Sequence, residues 1–102
     1  EQDEQKTYAM KQLTARWSLM DPVSTAEWLN QFPPSAKLDP VVGEFVTRIS
    51  ARDPEGAVGW AQSMVNPGAK NKAMQKALSA WDRSDPKKAT AWRQANGYLI
   101  DQ

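Results

Sequence analysis

The chain has 102 residues, of which 40% are hydrophobic and 25% charged, carries a formal net charge of +1, and contains no His and no Cys. That length buries one core without metal or disulfide, and the missing side chains exclude thiol nucleophiles, Cys/His zinc sites, imidazole bases and Ser-His-Asp triads. No apolar run approaches the roughly 18 residues that span a bilayer, and the acidic opening "EQDEQK" is the reverse of a signal peptide, so membrane insertion is not expected.

Taken in order, the first predicted helix covers about 7–20. Thr7 stands at its N-cap, and Met10, Leu13, Thr14 and Trp17 fall at i, i+3, i+4 and i+7, one face of an α-helix. Asp21-Pro22 then ends that helix and starts another over 22–32, with Asp21 as cap and Pro22 at the first helical position, where its missing N–H costs nothing. Thr25 and Trp28 lie one turn apart on it, and "NQFPPS" closes it. A third helix over 40–52 is capped by Asp39 and presents Val42, Phe45, Val46 and Ile49. Asp53-Pro54 opens a fourth over 54–65, bearing Ala57 and Trp60 and closed by "SMVNPG". The fifth, 69–83, has Asn71 in the cap column and the stripe Met74, Ala77, Leu78, Trp81. Asp85-Pro86 opens the sixth, 86–96, with Ala89 and Trp92, and Gly97 suits a left-handed helix end.

Asp-Pro, five unlike residues and Trp therefore recur at Asp21, Asp53 and Asp85, each 32 residues after the last. The pattern predicts an all-α fold of three stacked antiparallel helical hairpins, a right-handed α-solenoid fragment. One domain, 1–102, divides into repeats of about 7–38, 39–70 and 71–102. A fourth cap column would fall just past Gln102, which predicts either a complete three-repeat stack or a piece of a longer array, with self-association through the end repeats. Trp17, Trp28, Trp60, Trp81 and Trp92 are read as core residues filling the seams between hairpins, and Asp21, Asp53 and Asp85 as structural caps.

The period and the helix-turn-helix unit resemble the α-solenoid class that includes tetratricopeptide and related hairpin repeats. The Trp and Asp-Pro texture is similar to hairpin repeats of bacterial envelope and secreted proteins. The period of 32 differs from the tetratricopeptide period of about 34, and Asp-Pro lies between the two helices of a hairpin rather than before the first. The resemblance implies a binding scaffold and favours the envelope or periplasm over the cytoplasm.

The acids form no catalytic or metal-binding motif, and no glycine-rich phosphate loop is present, so neither an active site nor a cofactor is expected. The charge is uneven: residues 1–64 sum to −3 and residues 65–102 to +4. The leading functional expectation is a protein or peptide scaffold whose first-of-pair helices line a concave face, where Arg16, Arg48, Lys72, Lys76 and Arg83 meet an acidic or extended partner. The alternative is a stabilising or regulatory accessory segment of a larger enzyme. Nucleic-acid binding through the basic C-terminal third ranks below both, since no reader fold is recognisable.

Overall fold

In the computed structural model, which describes residues 2–97, the chain forms six helices: α1 (Gln2–Met20), α2 (Pro22–Leu29), α3 (Asp39–Ile49), α4 (Pro54–Gln62), α5 (Pro67–Ser84) and α6 (Pro86–Ala95). No strand occurs among the described residues. The fold is all-α, as the sequence predicts.

The three Asp-Pro elbows are chemically alike. The amides of Asp21, Asp53 and Asp85 each donate to the carbonyl four residues back, on Trp17, Ile49 and Trp81, at 2.7 Å. Their carboxylates accept from the amides of Ser24 (3.1 Å), Gly56 (3.0 Å) and Lys88 (3.2 Å). One residue thus satisfies a carbonyl at the end of one helix and an amide at the start of the next, while the following Pro fixes φ for the new helix. The chain reverses there, so α1/α2, α3/α4 and α5/α6 are hairpins. Helix α3 packs between α1 and α5 in one layer, and each second helix lies against its own partner, with α4 also seated on α5.

Three caps are not where the sequence pattern places them. Helix α1 runs through Thr7, which is an interior residue. Asn66, not Asn71, caps α5, accepting from the Ala69 amide at 3.0 Å with Pro67 in the first turn. Asn-Pro reproduces the Asp-Pro device, and this local signal prevails over the 32-residue column. Asp39 begins α3 but does not cap it: Leu38 occupies the cap position with no side-chain bond, and the Ser35 hydroxyl accepts from the Leu38 amide. Helices α2, α3 and α4 each end three residues before the expected ends; in α2 and α4, Pro33 and Pro67 set an outer limit, since the residue just before each avoids α geometry. Gly97 has φ of 72°, the left-handed value expected at a helix end.

The core gathers on the second and third hairpins. Val42, Phe45, Val46 and Ile49 on α3 and Met74, Ala77, Leu78 and Trp81 on α5 are all buried. The first hairpin differs: Leu13 is 50% exposed although Phe45, 32 residues on, is only 1% exposed, and among the described side chains of α1 the buried ones are Thr14 and Ser18. In α3 the flank equivalent to Leu13's is covered by the hairpin before it; α1 has no such cover among the described residues. Of the five Trp, Trp81 alone is fully buried. Trp28, Trp60 and Trp92 are half-buried against the core, and Trp17 is half-buried with its ring 5.7 Å from that of Trp28. Trp60 meets Phe45 edge-on at 5.3 Å.

Candidate docking groove

The valley between α3 and α5 holds a concavity of about 710 Å³. Its position follows from the side chains that face one another there. On α3 and the turn that follows it, Gly43, Thr47, Ser50 and Ala51 are small; on α5, Ala69, Ala73, Ser79 and Ala80 are small. The helices pack on the α3 and α5 apolar stripes beneath, and the small residues above leave a trough floored by Ala73, Ala80 and Met64.

Cations dominate the trough. Lys72, Lys76 and Arg83 project along α5 and Lys11 enters from α1, against the carboxylates of Glu44 and Asp39. Neither carboxylate is free to neutralise the wall. Glu44 accepts from Arg48 Nε at 2.7 Å, and Asp39, 3% exposed, accepts from the amides of Val65 (3.0 Å) and Asn66 (2.6 Å). Lys76 Nζ donates to Thr47 Oγ1 at 3.3 Å, spanning the groove from one helix to the other. Lys11, Lys72 and Arg83 make no ion pair with a described residue.

Of the five expected partner-binding residues, Lys72, Lys76 and Arg83 line this groove, Arg48 reaches it only through Glu44, and Arg16 is exposed on α1 outside it. The separation has a geometric cause. Arg16 and Arg48 share a column with Ala80, which lines the flank of α5 turned toward α3, so the same column on α3 turns toward α1. Lys11 escaped the sequence reading. Its column continues through Gly43 and Gln75, both in the groove, and that continuity was the available signal.

A smaller, more apolar pocket of about 280 Å³ lies between α2 and the α3–α4 hairpin, walled by Ala26, Phe45, Ile49 and Trp60. It exists because α2 carries Ala26 where α4 carries the buried Val58. Arg52 at its mouth donates to the Leu19 carbonyl at 3.2 Å.

Elsewhere three titratable groups have a clear structural role. Asp82 and Arg93 pair bidentately at 2.7 and 2.9 Å, tying α5 to α6. The hydrogen bond from Arg93 holds the Asp82 carboxyl below its ordinary range and raises the guanidinium in turn. Asp21 is lowered by the Ser24 hydroxyl and amide that its carboxylate accepts from. Among the described residues no group of three or more acids is placed to hold a metal ion, and no helix is long and apolar enough to cross a membrane. Comparison with protein families, curated proteins and solved structures found no match.

Proposed function

We propose that the chain is a protein- or peptide-interaction scaffold without catalytic activity of its own, built from helical-hairpin repeats of the α-solenoid kind and docking its partner in the α3–α5 groove. The observation that carries the reading is the groove: an open trough of about 710 Å³, lined by donors and acceptors, with cations along one wall. The repeat reading is supported by the three elbows, which make the same bonds at the same 32-residue interval. Stacked hairpins of this kind present extended surfaces suited to a chain rather than to a small molecule.

The test is a selection of displayed random peptides against the wild-type chain and against Ser79→Trp and Thr47→Trp, two exposed groove positions where an indole fills the trough without altering charge. Peptides enriched on the wild type should lose binding to both variants. No enrichment over an inert helical protein, or peptides indifferent to both indoles, defeats the proposal.

A further inference from the structure

Resting on the groove as the docking face, we infer the chemistry of its occupant: an extended peptide with acidic side chains at alternate positions. The cationic wall is an ordered row. Lys72, Lys76 and Arg83 fall at i, i+4 and i+11 on α5, one stripe of that helix, on the flank beside the Ala73 and Ala80 floor. At about 1.5 Å per residue, Lys72 and Lys76 are separated by about 6 Å and Arg83 stands about 10 Å further on. An extended chain repeats a side on every second residue, about 6.8 Å. Three alternate carboxylates therefore run along the row, with the long, flexible cationic side chains closing the remaining few ångströms.

The opposite wall suits a polypeptide backbone. Thr47 across the groove on α3, with Gln75 and Ser79 beside the row on α5, offers acceptors as well as donors, and an extended backbone needs both. A phosphodiester chain offers acceptors only and leaves the acceptor oxygens of these side chains unmatched. The groove also contains no aromatic side chain on which a base would stack. Charge complementarity and hydrogen-bonding capacity together favour an acidic peptide over a nucleic acid.

The experiment uses a fluorescein-labelled peptide with the core Glu-Ser-Glu-Ser-Glu, the same peptide with Lys in place of Glu, and a labelled oligothymidylate, all titrated by anisotropy. The protein variants are Lys72→Glu/Lys76→Glu/Arg83→Glu, its milder all-Gln counterpart, and Lys87→Glu/Lys88→Glu on α6 as a charge-matched surface control. The acidic peptide should bind the wild type and the α6 control, lose at least tenfold in affinity to both groove variants, and weaken as salt rises. The basic peptide should not bind. Equal binding of the acidic peptide to groove and control variants, or no binding to the wild type, overturns the inference, as does oligothymidylate binding at least as tightly and losing affinity with the same groove variants. Groove-dependent peptides from the display selection that carry no acidic pattern would leave the scaffold standing while removing this inference alone.

Discussion

Replacing Asp39 with Ala tests how the second and third hairpins are held together. Asp39 lies in the first turn of α3, is 3% exposed, and accepts from the amides of Val65 and Asn66, more than 20 residues away in the turn that leads into α5. A buried carboxylate is tolerated here because both amides donate to it. A hydrogen bond to a charged group contributes about 1.5–3 kcal/mol, so two of them set an upper bound of about 6 kcal/mol. The amides lie in a turn with exposed side chains, where water replaces part of the loss. The expected cost is about 2–3 kcal/mol, or roughly 10–20 °C in Tm for a domain of this size. Asp39→Asn keeps one acceptor oxygen and should cost less than Ala. Urea denaturation followed by Trp fluorescence measures both, with an unchanged m-value certifying that the unfolding surface is the same. A cost for Asp39→Ala below about 0.5 kcal/mol would refute the assignment of this carboxylate as the clasp between α3 and the α4–α5 turn.

Three further outcomes follow from burial and charge. Phe45→Ala should cost about 3–5 kcal/mol, since it opens a cavity beside Trp60, whereas Leu13→Ala in the same 32-residue column should cost under about 1 kcal/mol; equal losses in denaturation would contradict the exposed flank of α1. The Thr14 hydroxyl is buried with no hydrogen-bond partner among the described residues, so Thr14→Val should be neutral or stabilise by about 1 kcal/mol; a marked loss in Tm would show that the hydroxyl is satisfied. Asp82 has its carboxyl lowered by Arg93 from an ordinary 3.8, so its contribution is complete above that value and disappears as pH falls through the lowered one. Because Asp82 is 44% exposed, Asp82→Asn should cost under about 1 kcal/mol at pH 7, and wild type and variant should converge in acid; a gap that persists below the lowered value would contradict the pairing.

What the sequence made legible was local chemistry repeated at an interval. Asp-Pro needs only its own neighbours to end one helix and start another, so all three elbows could be placed from residue types alone. The stripes on α3 and α5 were equally readable, because apolar spacing fixes a face wherever another element covers it. The errors came from tertiary placement. Asp39 has the residue type and spacing of a cap, yet its acceptor capacity is used by amides far along the chain. Leu13 has the spacing of a core residue on a flank that no described helix covers. For the groove, charge and the face opposite each apolar stripe point to the α5 cations, but the same criterion joins Arg16 and Arg48 to them; the flank on which each column falls separates them. Lys11 required the complementary step, following a column through Gly43, a residue with no side chain to suggest a binding role.

The position of α3 between α1 and α5 also has a kinetic meaning. Each hairpin packs on the hairpin next to it in sequence, so few long loops have to close before native contacts form, and helical chains with this property fold in microseconds to milliseconds. The order of assembly is not symmetric. Large apolar side chains converge on α3, α4 and α5, while α1 contributes Thr14 and Ser18 to the interior and α2 is joined to α3 through residues 30–38. The central helices form the unit that opens last, and the first hairpin is the end that frays, its amides exchanging with solvent through partial openings well below the free energy of global unfolding.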